Sequence, residues 1–390
     1  MYMPSDERRI CVVGSGLSGA VLGRSLAEGG FNVLLVEERA HVAGNCHTGR
    51  DPQTGIMVHT YGPHIFHTES ETVWRYVGQF ATMVPYSHRV RATVANRVYA
   101  LPINLHTINQ FFGTALHPHE ARAFINDRTR HFPDGAANFE EQALSVLGEE
   151  LYEAFMLGYT RKQWGVPPRQ LPASILKRLP VRFTYDDNYF NHMYQGMPRD
   201  GYTELVTRIL DVPNIEVRLR CRFEELAEPF LHVFYTGPID RFFRHQAGRL
   251  GYRTLDFEVF RAEGDWQGTA VMNYCDEGVP YTRITEHKYF APWEIDRFDR
   301  TICFREFSRS CGPGEIPFYP VRLAGDQSVL TEYVRLARRT AGISFVGRLG
   351  TYRYLDMDVT IAEALQAAAT ARSTLLQGVP PPAFFVDPLA

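Results

Sequence analysis

The strongest chemical signal in the chain is a run of three glycines at fixed spacing. Gly14-Ser15-Gly16-Leu17-Ser18-Gly19 follows an apolar run at residues 9–13. It opens a stretch in which Leu17, Val21, Leu22 and Leu26 recur at helical spacing. Gly29-Gly30 closes that stretch, residues 31–36 form a second apolar run, and Glu37 ends it. In a dinucleotide site each glycine has its own task. Gly14 allows the tight turn, Gly16 lets a pyrophosphate approach the backbone, and Gly19 lets helix and strand pack closely. The N–H groups at the helix start face the phosphates, and Glu37 accepts from an adenosine ribose. This unit alone does not separate NAD from FAD.

The basic residues are a second signal. Lys162, Lys177 and Lys288 are the only lysines, so the other 38 of the 41 basic residues are arginines. Genome composition is the readier account of the excess, although a guanidinium fork suits bidentate phosphate recognition at a few of these positions. A formal net charge of −3 argues against a general nucleic-acid binder. His64 and His67 stand three apart with no third ligand in view, and the six cysteines form no C-x-x-C pair, so no metal is expected. The cysteines read as reduced thiols of a cytoplasmic protein. No apolar run approaches the roughly 18 residues of a membrane span, and the first nine residues are polar rather than signal-like.

The elements that must position these residues fall into three textures. At 390 residues, two or three domains are expected. Residues 9–37 read as strand, turn, helix, strand. Val90, Ala92 and Val94 alternate with polar neighbours, and Asn96-Arg97 offers a hairpin turn before Val98-Tyr99. Residues 105–157 read as helical, with Ala143, Leu144, Leu147, Leu151 and Phe155 marking one helix over 139–157. Residues 165–200, rich in proline and aromatics, read as an extended segment with a mobile loop. Strand-like runs at 257–260, 270–274, 281–285 and 301–307 predict an antiparallel sheet. A last strand at 343–346 precedes a helix capped by Asp358, and the tail from Pro380 reads as frayed.

Further segments carry a resemblance. These are Tyr61-Gly62-Pro63-His64-Ile65-Phe66-His67-Thr68, Pro102-Ile103-Asn104-Leu105, Gly158-Tyr159-Thr160-Arg161-Lys162-Gln163-Trp164-Gly165, Arg178-Leu179-Pro180-Val181-Arg182, and Asp187-Asn188-Tyr189-Phe190. Tyr281-Thr282-Arg283, Phe318-Tyr319-Pro320 and the run from Gly347 to Asp358 complete the set. In that order the chain resembles the bacterial UDP-galactopyranose mutases over nearly its whole length. The resemblance implies an α/β fold: a discontinuous Rossmann-like FAD-binding domain with a helical-bundle domain and an antiparallel β-sheet domain. The corresponding boundaries are 1–82, 183–254 and 319–378 for the FAD domain and its linking segment, 83–103 and 255–318 for the sheet, 104–182 for the helices with a substrate loop, and 379–390 for a flexible tail.

The resemblance also implies the chemistry. UDP-galactopyranose and UDP-galactofuranose interconvert by ring contraction, with the N5 of reduced FAD as nucleophile at the anomeric carbon and no net redox change. Arg178 and Arg283 look like the family's diphosphate arginines, with Arg182 the neighbouring competitor. Phe155, Tyr159, Thr160, Trp164, Tyr189 and Asn273 look like uridine-diphosphate contacts, and Tyr319 and Tyr354 like a pair on the diphosphate. His64 and His67 fall in the flavin-proximal segment, where flavin tuning and proton traffic are expected. Gly14, Gly16, Ser18, Gly19, Glu37, Glu38, Asn45, His64, Arg348, Asp356 and Met357 look like the FAD-binding set. Three positions depart from the family pattern: Ala43 replaces a glycine, Met156 an aromatic, and Phe318 a tyrosine. A homodimer is implied. A flavin amine-oxidase-like oxidoreductase and a non-catalytic UDP-sugar or flavin binder are the competing readings.

Overall fold

In the computed structural model, residues 9–178 and 181–390 are described, and the side chains of Ser174, Lys177, Arg178 and Ala324 lie outside that description. A five-stranded sheet takes Ile215–Leu219, Asn32–Glu37, Arg9–Val13, His232–Tyr235 and Ile343–Phe345 in that spatial order. Every neighbouring pair is parallel, with Val13 beside Val36 and Val12 beside Phe234. Parallel neighbours require long crossovers, which is why this sheet gathers strands from both ends of the chain. Its central strands are buried on both faces, as a doubly covered parallel sheet must be. The helix Leu17–Glu28 packs against the last helix, Met357–Leu376.

A seven-stranded sheet stands beside it, ordered Tyr319–Pro320, Tyr252–Glu263, Arg300–Ser310, Arg283–Glu286, Val271–Tyr274, Val90–Val94 and Arg97–Leu101. The hairpin at its edge turns on Ala95 and Asn96, with φ of 47° and 61°, as a two-residue hairpin loop of the primed kind requires. The sheet is not wholly antiparallel as expected: Val90–Val94 and Val271–Tyr274 run parallel. The chain leaves the hairpin into the helices and re-enters the sheet only at Tyr252, so these two strands meet through a crossover rather than a turn.

The helical layer comprises Leu105–Phe112, Pro118–Asn126, Phe139–Leu147 and Gly158–Trp164, with Asn104 and Asn138 capping their helices through side-chain oxygens. The single helix expected over 139–157 is broken. Gly148 adopts a φ of +77°, and Tyr152–Leu157 forms a widened π-helical turn, a feature that recurs at functional sites. Residues 165–200 hold two short 3₁₀ turns, Pro168–Gln170 and Ala173–Arg178, and a strand Tyr194–Pro198. That strand pairs with Phe66–Thr68 and Met83–Pro85. Asp356, not Asp358, occupies the N-cap position of the last helix. Among the described residues, no helix is long and apolar enough to cross a membrane.

Candidate functional site

A cavity opens at the carboxyl ends of the parallel strands, where ligands of such sheets bind. Gly14, Gly16 and Ser18 line it from the first turn, Glu37, Glu38 and Arg39 from the second strand, and Ala43, Gly44 and Asn45 from the turn beyond. His64, Arg348 and Met357 complete it from elsewhere in the chain. Gly14 has a φ of +98°, and a Cβ there would lie 2.1 Å from Thr236 Oγ1. A Cβ on Gly19 would lie 1.9 Å from the Gly14 carbonyl oxygen, so this glycine acts beneath the cavity, in packing. A Cβ on Gly16 would meet nothing nearer than Gly44 Cα at 4.0 Å, which leaves its backbone open to a ligand.

The polar groups here fit a dinucleotide. Glu37 Oε2 accepts from the Ser15 backbone N–H and hydroxyl at 2.9 and 2.8 Å, and Oε1 from Arg39 N–H at 3.0 Å. The carboxylate is thereby fixed at the cavity edge. Arg39 Nη2 donates to Asn45 Oδ1 at 2.8 Å, while its buried Nη1 has no protein partner. An orphaned guanidinium N–H beside an open glycine turn is what an anionic pyrophosphate would satisfy. Ala43 takes the left-handed conformation, φ 75°, at the position where the family pattern carries glycine. Glu38 pairs with Arg241 at 2.8 Å at the cavity mouth. Asp356 does not line the cavity.

A second, smaller cavity lies in the helical layer, lined by Phe155, Met156, Tyr159, Val181, Tyr189, Asn273 and Cys275 among others. Asn273 Oδ1 is buried there without a protein partner. Phe155 serves core and cavity together, packing edge-on against Tyr99 with ring centroids 5.2 Å apart. Thr160 is buried on the same helix as Tyr159.

Further contacts reach out from a lining residue of each cavity, Arg348 in the first and Tyr159 in the second. Arg283 heads its strand, donates from Nη2 to the Tyr159 hydroxyl at 2.7 Å, and lies 3.1 Å from Glu306 Oε1 through Nε. The Nε approach is an ion pair rather than an aligned hydrogen bond. Burial is the largest influence and opposes the charge on Arg283, but Glu306 together with Tyr159, Tyr319 and Tyr189 outweighs it and lifts the pKa above the ordinary value. Tyr319 and Tyr354 stack with ring centroids 5.5 Å apart, and the Arg348 guanidinium lies over both rings at 5.8 and 5.2 Å. Trp164 reaches the Tyr354 ring at 6.4 Å.

His64 lines the cofactor cavity, and burial, with Arg348 nearby, pulls its pKa down to about 4. Its Nδ1 lies 3.0 Å from the Gly62 carbonyl; a neutral ring donates there and keeps Nε2 as an acceptor. His67 is not on either cavity wall. It stacks on Phe190 at 3.7 Å, and its Nδ1 lies 2.6 Å from His192 Nδ1. The Arg178 side chain lies outside the described residues. Arg182 is committed elsewhere: its guanidinium takes the Asn188 carbonyl and Asn191 Oδ1 and pairs with Asp186 at 3.3 Å. Sequence reasoning missed Glu306 and Arg39. Ile302, Phe304 and Glu306 share one buried face of a strand, so an acid in an apolar alternation was the available signal. No group of metal-ligating side chains occurs among the described residues.

The comparisons agree with this geometry. Residues 154–354 match the family model of UDP-galactopyranose mutase, and residues 12–80 match that of an NAD(P)-binding Rossmann-like domain. A Klebsiella pneumoniae protein described as a probable UDP-galactopyranose mutase is 56% identical over 382 residues, covering 98% of this chain and 99% of that protein. A dTDP-fucopyranose mutase of Escherichia coli is 51% identical over 368 residues, covering 92% and 97%. Among solved structures, a crystal structure of reduced UDP-galactopyranose mutase has a similar fold, with a TM-score of 0.72 at 15% identity over 95% of this chain and 96% of that one.

Proposed function

Because the chain belongs to the UDP-galactopyranose mutase family, and is thus a nucleotide-sugar pyranose–furanose mutase, we propose that its substrates are UDP-galactopyranose and UDP-galactofuranose and its cofactor reduced FAD. The observation that carries this reading is the run of residues from one cavity toward the other. Arg348 lines the dinucleotide cavity and lies over Tyr319 and Tyr354, while Arg283 bonds Tyr159 of the cavity lined by aromatics and an amide. A diphosphate along these residues leaves its base among Tyr159, Tyr189 and Asn273 and its sugar on the cofactor side.

When bound, reduced flavin supplies a nucleophile for the anomeric carbon. The protein binds, orients and stabilises charge. Arg283, with Arg178 as the second guanidinium, stabilises the diphosphate as it departs. Glu306 and the surrounding tyrosines favour the charged form of Arg283 against burial, and Tyr159 fixes its Nη2. The Tyr319 and Tyr354 hydroxyls donate to the diphosphate. Neutral His64 offers Nε2 as an acceptor beside the cofactor. The diphosphate leaves and returns to the same carbon, so no atom or electron is gained.

An amine-oxidase-like oxidoreductase would share the parallel sheet but leave the match over residues 154–354 unexplained. A dTDP-fucose pair is the second reading, favoured by the 51% identity to the Escherichia coli enzyme. The test is product analysis after incubating dithionite-reduced protein with UDP-galactofuranose and, separately, with dTDP-fucofuranose. UDP-galactopyranose should form with reduced protein and hardly at all with oxidised protein. Conversion of the thymidine sugar alone would move the assignment to the second reading. Equal rates in both redox states would overturn the role given to reduced flavin. Denaturation should release FAD, identified by mass. A reducing, cytoplasmic setting is supported by six free cysteines. Light scattering should give a homodimer.

A further inference from the structure

Lys162 lies one residue beyond Arg161 and three beyond Tyr159 on the short helix Gly158–Trp164. Its half-buried ammonium makes no ion pair among the described residues. Nζ donates to four main-chain carbonyls: Tyr274 at 2.7 Å, Asp276 at 2.9 Å, Val279 at 3.0 Å and Tyr281 at 3.1 Å. Three ammonium protons therefore serve four acceptors on one turn. That turn joins the strand Val271–Tyr274 to the strand Arg283–Glu286, and Asn273 and Arg283 face each other across it.

The contact is close by construction. A Cβ on Gly158 would lie 2.4 Å from the Cys275 carbonyl oxygen, so helix and turn touch backbone to backbone. The helix end is held independently. Arg253 Nε and the Ser308 hydroxyl both donate to the Gln163 carbonyl, at 3.0 and 2.6 Å. The neighbouring Arg161–Glu277 pair is half exposed on both sides and contributes little. Lys162 is thus the four-carbonyl tie between the helix carrying Tyr159, Thr160 and Trp164 and the hairpin carrying Asn273 and Arg283.

We propose that Lys162 is a positioning residue for nucleotide-diphosphate binding, its carbonyl-caged ammonium setting the helix and the hairpin at the spacing the Tyr159–Arg283 contact requires. The proposal rests on the functional reading above. A cage of four carbonyls is also a site for a small free cation, so a truncated lysine should be replaceable by ammonium or methylammonium.

The test uses flavin-loaded Lys162→Ala and Lys162→Met proteins. UDP affinity is read by calorimetry at constant ionic strength in sodium, ammonium, methylammonium or tetramethylammonium chloride, with the flavin spectrum confirming loading. Lys162→Ala should bind UDP at least tenfold more weakly in sodium. Ammonium or methylammonium should recover threefold or more of that loss, and tetramethylammonium, too large for the cage, none. Lys162→Met fills the stem without the charge and should stay weak in every salt. UDP binding by Lys162→Ala within twofold of wild type overturns the proposal. So does wild-type affinity in Lys162→Met, which would leave only packing. Should Lys162→Ala not fold, Lys162→Met decides alone by its affinity. A wild type that fails to bind UDP refutes the nucleotide-sugar reading instead, before any variant is compared.

Discussion

The guanidinium of Arg283 and the hydroxyl of Tyr159 are joined by a 2.7 Å hydrogen bond that runs from the mixed sheet to the helical layer. The bond leaves the fork one N–H poorer but fixes its plane, with Glu306 close to Nε. Arg283→Lys keeps the charge and loses the fork. Its turnover should fall roughly 10²-fold, the scale of one preorganised transition-state contact. Tyr159→Phe keeps the ring and releases the guanidinium, and a fall of tenfold or more is expected from the loss of a charge-assisted bond worth roughly 1.5–3 kcal/mol. Steady-state kinetics on reduced protein measure both. Two variants within twofold of wild type would remove Arg283 from the reaction.

The three glycines should fail in three different ways. Gly19→Ala drives a Cβ to 1.9 Å from the Gly14 carbonyl, so the fold itself should suffer. Gly14→Ala combines a φ of +98° with a 2.1 Å clash on Thr236 Oγ1, and strain of this kind costs roughly 1–3 kcal/mol before the clash is counted. Gly16→Ala has room for its methyl in the protein but places it where a pyrophosphate must approach. Its melting temperature should match wild type stripped of cofactor, while its flavin content after purification falls about tenfold or more, equivalent to roughly 1.4 kcal/mol. Full flavin loading of Gly16→Ala would show that the phosphates do not lie over this turn.

The contrast among these glycines also marks what the sequence made legible. Strand, turn, helix and acid lie within one contiguous stretch, so local spacing pointed to this cavity's lining as far as Glu37, and the family resemblance extended it to Asn45. The strands of the large sheet alternate visibly, and their positions could be read. Their pairing could not, because the parallel partners Val90 and Val271 are distant in the chain and nothing local records a crossover. The π-helical turn at Tyr152–Leu157 was equally hidden, since the apolar stripe through Leu151 and Phe155 continues across it. Arg39 and Glu306 were missed for a related reason: each acquires its role from a partner on another element.

Several histidines are held neutral by the fold, which makes it acid-labile. Burial draws His64 and His232 down to about 4 and His88 and His287 to about 3, and it holds His59 well below the ordinary value. An unfolded histidine titrates near 6.5. Between those values the unfolded chain binds more protons than the native one, so stability rises with pH across the window and is level above it. Denaturant melts from about pH 7 to about pH 4.5 should therefore show a steady loss on acidification, since each proton bound only by the unfolded chain costs about 1.4 kcal/mol per pH unit. His232 offers a clean single-site check. Its Nε2 lies 2.8 Å from Ser344 Oγ, whose own proton goes to the Pro382 carbonyl, so the imidazole is the donor. His232→Gln retains a donor without the titration, and its slope should be shallower by nearly one proton. An unchanged slope would mean that His232 keeps an ordinary pKa in the native state.

Arg178 and Arg182 are four residues apart, and the family resemblance alone leaves both near the diphosphate. The surroundings of Arg182 separate them. Its side chain is 9% exposed, its guanidinium is taken by Asn188, Asn191 and Asp186, and its backbone N–H donates to the Ile103 carbonyl at 2.9 Å. These contacts hold the segment from which Tyr189 reaches the second cavity. Arg182→Ala should therefore act through that segment. It should lower the melting temperature by roughly 1 °C for each 1 kcal/mol lost and raise KM for the nucleotide sugar. Lysine should not repair it, because one ammonium cannot reproduce a planar fork across three acceptors. Arg178→Ala should do the reverse, leaving the melting temperature near wild type and lowering kcat roughly 10²-fold. Lysine there should recover part of the rate, since charge at the departing diphosphate is retained. Thermal melts and initial rates on the four variants give the comparison directly. If Arg182→Ala loses kcat without loss of stability while Arg178→Ala turns over normally, the second diphosphate arginine is Arg182. The contacts to Asn188 and Asn191 must then open when substrate binds.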